Sequence, residues 1–486
     1  MSIRVTHPYE SGLETTFGNV EADVLADNEP SVRPENFCHV FGALPGPARK
    51  YSTPSALHAT QGTVMSTTKR FTNGTGAPVA DNTKIMNFVM ADHRPSRRKT
   101  HLAAERPPFE RIALILSGGG ALGSYQAGVY QALAERNLHP DWVAGISIGA
   151  VNAALIAGNP PERRVDRLRE FWETVSGPPS GVRYFAGLKI HDNFRRIVNH
   201  GRSLDALLGG VPGFYKLRVP PPYLHRNSSL EVLSYYDVAP LKSTLERLVD
   251  FDLINAGATR FSACAVNVRT GDAVRFDSTT CQICPEHVMA AGSLPPALPT
   301  IKIGGEYYWD GGLVSNTPLQ WVLDTPPRKD TLAFQVDMWS ARGDLPRNFV
   351  ESEVREKDIL FSSQTRIATD QFKKVQILRR ATAKLLAKMP KELLQTPEAE
   401  TLAAEADEKV YNVIQMIYRK NYAGNFKDYE FSRSTMEEHW RSGYNDAVRT
   451  LRHPKVLQRP NGQDGFFTFD LARDGRDIES PPSIAS

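Results

Sequence analysis

A serine set between two glycines, Gly145-Ile-Ser147-Ile-Gly149, is the feature that most restricts this chain. A nucleophilic serine needs a sharp strand-to-helix turn that lifts its hydroxyl clear of the backbone. Flanking glycines permit that turn and leave room beside it. The setting agrees. Asp141-Trp-Val-Ala-Gly is an apolar run before the motif, and Ile148 to Ala157 has helical character after it. Upstream, Arg111-Ile-Ala-Leu-Ile-Leu is a short continuous apolar run, as expected of a strand buried on both faces. The glycine-rich Gly118-Gly-Gly-Ala-Leu-Gly123 follows it, then Ser124 to Arg136 with helical spacing. Strand, loop, helix, strand, turn, helix predicts a parallel α/β sheet.

The glycine loop exposes backbone N–H groups towards an anion at a helix N-terminus. A dinucleotide pyrophosphate is one such anion, and Asp141 sits near the spacing of an acidic ribose ligand. A tetrahedral oxyanion is the other. The dinucleotide reading leaves Gly145 to Gly149 unexplained, so the oxyanion is preferred. A third element, Trp309-Asp310-Gly311-Gly312, follows an aromatic strand. Asp310 is either a turn aspartate bonded to its own backbone or a carboxylate projecting into a cleft.

Together these elements resemble the patatin-like phospholipase family over roughly residues 110 to 340. Met289-Ala-Ala-Gly-Ser-Leu-Pro-Pro, Arg269-Thr-Gly and Asn316-Thr-Pro add to the likeness. The resemblance implies a three-layer α/β/α hydrolase domain. It also implies Ser147 as nucleophile, Asp310 as general base, and Gly118, Gly119 and Gly120 as oxyanion donors. Gly123, Gly145, Gly149, Gly311 and Gly312 complete the motifs. The implied reaction is cleavage of lipid acyl esters without a metal or organic cofactor. Two rivals remain. The order Ser147, Asp310, His439 also suits the Ser–Asp–His triad of an ordinary α/β-hydrolase, and the chain could be a non-catalytic lipid-binding scaffold.

The rest of the chain divides by texture. Residues 1–108 read as a largely irregular, poorly ordered extension ending in Arg94, Arg97, Arg98, Lys99 and Arg106, a basic run that is either a solvated linker or a contact to anionic lipid. Residues 109–340 form the expected catalytic domain, 341–476 an α-rich C-terminal domain and 477–486 a tail. The C-terminal part is similar to an extension found on some bacterial patatin domains. Residues 177–230, rich in proline and aromatics, read as a lid or as a packed loop. Hairpins are expected at Arg269-Thr-Gly-Asp and at Gly304-Gly305, and Ser434-Thr-Met-Glu437 reads as a capping box opening a helix.

Composition excludes several classes. A net charge of +4 on 486 residues offers no concentrated basic surface for nucleic acid. Four cysteines are too few for a disulfide framework, and Cys281-x-x-Cys284 is at most half a zinc site. The N-terminus lacks a signal-peptide core, and the longest apolar stretch, Val143 to Gly158, is too short to span a bilayer. A cytoplasmic location is therefore expected. Gln364 to Met389 reads either as a helix packing its apolar side on its own domain or as a basic amphipathic helix in peripheral contact with an anionic membrane. There Ile367, Val375, Leu378, Leu385 and Met389 alternate with Lys373, Lys374, Arg379, Arg380, Lys384 and Lys388. The sequence is silent on oligomeric state.

Overall fold

A computed structural model describes residues 105–177, 209–224, 229–419, 427–460 and 465–471. The basic run of the N-terminal extension, save Arg106, and most of the region expected to form a lid lie outside these residues. Arg106 pairs with Asp141.

The elements, in chain order, begin with β1 (Arg111–Leu116), α1 (Ser124–Glu135), β2 (Trp142–Gly145), α2 (Ile148–Ala157) and α3 (Arg164–Val175). Next come β3 (Lys216–Leu217), β4 (Tyr236–Asp237), α4 (Ala239–Leu248), α5 (Phe251–Asn255), β5 (Arg260–Asn267) and β6 (Ala273–Asp277). They are followed by α6 (Pro285–Ala291), β7 (Ile301–Ile303), β8 (Glu306–Asp310), α7 (Leu319–Asp324) and β9 (Thr331–Asp337). The last are α8 (Phe349–Leu386), α9 (Lys391–Leu394), α10 (Pro397–Glu405), β10 (Tyr411–Ile417), α11 (Arg433–Leu451) and β11 (Phe466–Asp470).

One sheet organises them, in the order β11-β10-β9-β1-β2-β5-β8-β7, with β6 branching from β5. The six strands from β11 to β5 are mutually parallel, whereas β6 and β8 run antiparallel to β5. Side chains alternate across the sheet. Ile112, Leu114 and Leu116 of β1 join one core cluster, with Tyr125, Val151, Phe171 and Trp440. Ala113 and Ile115 join the other, with Leu319, Val322 and Phe372. Helices thus cover both faces, which makes the three-layer α/β/α arrangement and explains why β1 reads as a continuous apolar run. Both expected hairpins form, β5 with β6 and β7 with β8.

Sheet pairing crosses residue 340. β10 lies along β9 from Tyr411 to Ile417, and β11 extends the sheet by one more strand. α11 packs on α1, with Trp440 Nε1 donating to Gln131 (2.6 Å) and the Tyr125 hydroxyl donating to Asp446 (2.9 Å). Asp92–Ser486 is one compact unit by its internal contacts. The α-rich C-terminal part therefore contributes two strands to the sheet that carries the serine motif.

Two local expectations change. The helix expected to open with a capping box at Ser434 starts at Arg433 and is capped by Ser432, with no side-chain cap bond. The Ser432 N–H is taken by Glu430 instead (3.1 Å), which removes the reciprocal geometry. In α8, Arg379 does not join a basic surface. It is buried and pairs with Asp324 (2.8 Å) and Glu405 (2.9 Å). Cys281 and Cys284 are free thiols. Cys284 Sγ lies 3.1 Å from His287 Nδ1 within the first turn of α6. Among the described residues no group of three or more potential ligands is arranged to hold a metal, and no helix is long and apolar enough to cross a membrane.

Phe372 anchors α8 edge-on against Tyr411 (5.1 Å between centroids) and beside Phe466. Phe372→Ala would leave a cavity where helix and added strands meet. Unfolding in urea should show a loss of about 3–5 kcal/mol; a loss below 1 kcal/mol would mean that this layer packs loosely.

Candidate active site

Parallel strands open their C-terminal ends onto a crevice, most widely where the strand order reverses. Here the chain leaves β1 towards β2 and returns later to β9 on its other side. The turns after β1 and β2 face that point.

The turn after β2 is strained. Ser147 has φ 54° and ψ −128°, a conformation that L-residues with side chains rarely adopt and that costs of order 1–3 kcal/mol. The chain tolerates it because the surroundings fix it. The Ser147 N–H donates to the Ala291 carbonyl (2.9 Å). A Cβ at Gly145 would lie 2.2 Å from the Gly149 carbonyl oxygen, and one at Gly149 would lie 2.3 Å from that of Leu116. Only glycine lets the elbow close so tightly.

β5 brings the aspartate to the serine. Its one edge is taken by β6, so β2 and β8 share the other. Gly145 pairs with Ala263 and Asp310 with Ala265, two residues further along. At about 3.3 Å per residue this sets the end of β8 just above the end of β2. Gly311 packs close against the Cys264 backbone, where a Cβ would lie 2.5 Å from the carbonyl oxygen. Asp310 is buried, and burial raises its pKa from an ordinary 3.8 to about 7. A hydrogen bond from the Gly312 N–H (2.7 Å) and the nearby Ser147 hydroxyl act in the opposite direction. Asp310 thus both bonds its own turn and lines the cleft.

The glycine loop lies across the same opening. Gly118 is close enough that a Cβ would lie 3.1 Å from Ser147 Cβ. Its N–H donates to Asn316 Oδ1 (3.2 Å), and its carbonyl accepts from Trp339 Nε1 (2.8 Å). The N–H groups of Gly119 and Gly120 have no acceptor among the described residues. Gly120 has φ +54°, and a Cβ there would lie 2.3 Å from the Asp428 carbonyl oxygen. That carbonyl accepts the Ala121 N–H (2.8 Å), and the Asp428 carboxylate pairs with Lys357 (2.9 Å). Gly123 closes the loop against Ile148, whose side chain a Cβ would meet at 2.7 Å. Beneath the loop, buried Asp337 has its pKa raised to about 6 by burial and accepts from Ser117 Oγ and the Trp339 N–H.

Ser147, Asp310, the loop glycines and Asn316 line one cavity of about 110 Å³ that opens to solvent. The remaining wall is largely aromatic and aliphatic. No histidine is among the described residues lining it. His439 is buried in α11 with its ring edge-on to Tyr418 (5.2 Å). His287 sits against Phe276 (4.5 Å) and accepts the Cys284 N–H (3.0 Å). Sequence reasoning assigned no role to Asn316, Trp339 or the segment 427–431. Asn316 lay in quoted motif text without a role, and 427–431 carries no motif at all.

Comparison with known proteins agrees with this geometry. A family model described as patatin-like phospholipase matches residues 114–322, and a second, described as patatin phospholipase, matches 359–463. The chain belongs to the patatin-like phospholipase family. Its matches to curated relatives are local. Triacylglycerol lipase SDP1L of Arabidopsis thaliana is 38% identical over 97 residues, 20% of this chain and 11% of that protein. Lysophospholipase nte1 of Aspergillus terreus is 43% identical over 63 residues, 13% of this chain and 4% of that protein. Among solved structures, VipD from Legionella pneumophila aligns with a TM-score of 0.32 and 17% identity, covering 72% of this chain and 70% of that one. The second model extends the patatin match across most of α8, β10 and α11, and ends before β11.

Asp310 gives this patatin site a pH signature. If Asp310 is the group that accepts the serine proton, it works only when ionised, and kcat/KM should rise through about pH 7 and level off above it. The same group lowers stability as pH rises. The folded chain keeps a proton that the unfolded chain, titrating near 3.8, has released, so stability falls between about pH 4 and pH 7. Asp310→Asn should therefore melt higher than the parent at pH 8, with the gap narrowing towards pH 4. A gap independent of pH would argue against a perturbed Asp310.

Proposed function

We propose that this chain is a serine acyl hydrolase of lipid carboxylic esters, with Ser147 as nucleophile and Asp310 as general base. The observation carrying the proposal is the strained Ser147 elbow lining one cavity with a buried aspartate whose pKa is raised to about 7. That value matches a base working near neutral pH. Membership of the patatin-like phospholipase family, and likeness to a protein named a lipase and another named a lysophospholipase, support the same reading.

In this mechanism Asp310 accepts the Ser147 proton as Oγ attacks the ester carbonyl carbon. The oxyanion is held by the Gly119 and Gly120 N–H groups, with Gly118 joining if its bond to Asn316 is exchanged. The C–O bond to the alcohol then breaks, and Asp310 returns the proton to the leaving oxygen. Water, activated by the same carboxylate, cleaves the acyl-Ser147 ester and releases the fatty acid. Each donor to the oxyanion contributes a factor of about 10²–10³ in kcat.

Hydrolysis of a p-nitrophenyl acyl ester tests this reading. Ser147→Ala and Asp310→Asn should each lose activity by about 10³-fold or more, because nucleophile and base act as a unit. His439→Ala and His287→Ala, if folded by circular dichroism, should keep most of it. A folded His439→Ala as inactive as Ser147→Ala would favour a triad. A parent protein no faster than Ser147→Ala would favour a scaffold.

We also propose that α8 rests on an anionic membrane. Leu360, Ile367, Leu378 and Leu385 lie seven, eleven and seven residues apart, on one side of the helix, and are 54–66% exposed. Arg366, Lys373, Lys384 and Lys388 flank that stripe in solvent. The helix passes the site, since Phe361 lines the cavity. Flotation should recover more protein with phosphatidylglycerol-containing vesicles than with pure phosphatidylcholine. Leu378→Glu with Leu385→Glu should abolish the difference. Equal recovery from both vesicles would sink the idea.

A further inference from the structure

The cavity wall beyond the dyad is apolar except at one place. Tyr215, Tyr236 and Tyr429 line it together with Asp428. Tyr215 is buried, and its ring is wedged by Tyr236 at 4.7 Å, Phe214 at 5.4 Å and Phe431 at 6.4 Å between centroids. A tight turn, with the Val211 N–H donating to the Tyr215 carbonyl (2.7 Å), fixes its backbone. Its hydroxyl has no hydrogen-bond partner among the described residues. A buried, unpaired hydroxyl held this rigidly is costly, and the cost is recovered when a ligand brings a partner. Tyr236, Tyr429 and Asp428 lie close enough to the Tyr215 hydroxyl to raise its pKa, after burial itself, so it stays protonated and able to donate. Tyr429 in turn feels Asp428, Tyr236 and Asp310, which sets the cluster beside the reacting end of the cavity.

We infer that the Tyr215 hydroxyl, in the wall it shares with Tyr236 and Tyr429, forms a subsite that takes a neutral oxygen of the substrate, a hydroxyl or carbonyl carried a few bonds from the scissile ester. The inference rests on the hydrolase reading. Neutrality follows from the wall. Its charged side chains among the described residues are the carboxylates of Asp310 and Asp428, with no lysine, arginine or histidine. Lys357 is already paired with Asp428, so a phosphate inside would meet no unpaired cation on this wall, which disfavours its burial there. The oxygen could come from the acyl chain, as in a 3-hydroxyacyl ester, or from the alcohol, as in a monoacylglycerol. Either would replace the missing partner of Tyr215.

Tyr215→Phe removes the oxygen and keeps the ring packing. The parent and this variant are assayed on two substrate pairs. The first is p-nitrophenyl 3-hydroxyoctanoate against p-nitrophenyl octanoate. The second is 1-monooctanoylglycerol against methyl octanoate. In at least one pair the variant should lose kcat/KM by about five- to tenfold on the oxygen-bearing member, the size of one neutral hydrogen bond. The plain member of that pair should change less than twofold. The first pair reports an acyl-side oxygen and the second an alcohol-side oxygen. If Tyr215→Phe does not fold, Tyr429→Phe is read in the same way. Equal effects on both members of both pairs would overturn the subsite while leaving the hydrolase intact. No turnover of any of the four by the parent would overturn the hydrolase reading, and the subsite with it.

Discussion

The site depends on how β5 shares its edges. With β6 on one side, the other edge accommodates β2 and then β8 in succession. β2 ends in the elbow and β8 in the aspartate, so one strand fixes the spacing of two groups that are 163 positions apart in the sequence. Gly311 makes this possible by letting the chain pass against the β5 backbone. No loop has to fold back to deliver Asp310. Secondary structure holds both partners, which suits chemistry that tolerates errors of only about half an ångström.

Strain and buried charge accumulate at this point. Ser147 sits in an unfavourable backbone region, Asp310 gives up solvation, and Asp337 does the same one layer below. Such groups persist only where the surroundings outweigh them. Here they rest on a sheet whose central strands are buried on both faces and whose helices pack on both sides. Stability made elsewhere holds a poised, destabilised centre.

Much of this was legible in the sequence. The elbow, the glycine loop and the Asp310-Gly-Gly turn carry local signals, since each requires glycine where a side chain would collide. Both hairpins and the helix after Ser147 also follow from local pattern. What escaped was long-range. Asn316 reaching Gly118, Trp339 reaching the loop carbonyl and Asp428 receiving the Ala121 N–H depend on which strands become neighbours. Residues 427–431 look like any polar and aromatic connector. Arg379 was misread because its helix face is set by Asp324 and Glu405, which lie far from it in sequence. Ser434 resembled a cap because its neighbours have the right letters, yet Glu430 holds the turn one step earlier.

The bond from Ala121 to Asp428 has a consequence for how such a protein can change over time. The glycine loop beside Ser147 is tethered by a main-chain atom of Asp428, whose side chain is in turn paired to α8. A main-chain acceptor is indifferent to residue type, so this contact survives drift at position 428 while still constraining the path of the backbone there. Insertions or deletions near 427–431 would shift the loop, whereas substitutions would leave it in place. Position 428 is therefore free in spelling, while the segment around it is fixed in length.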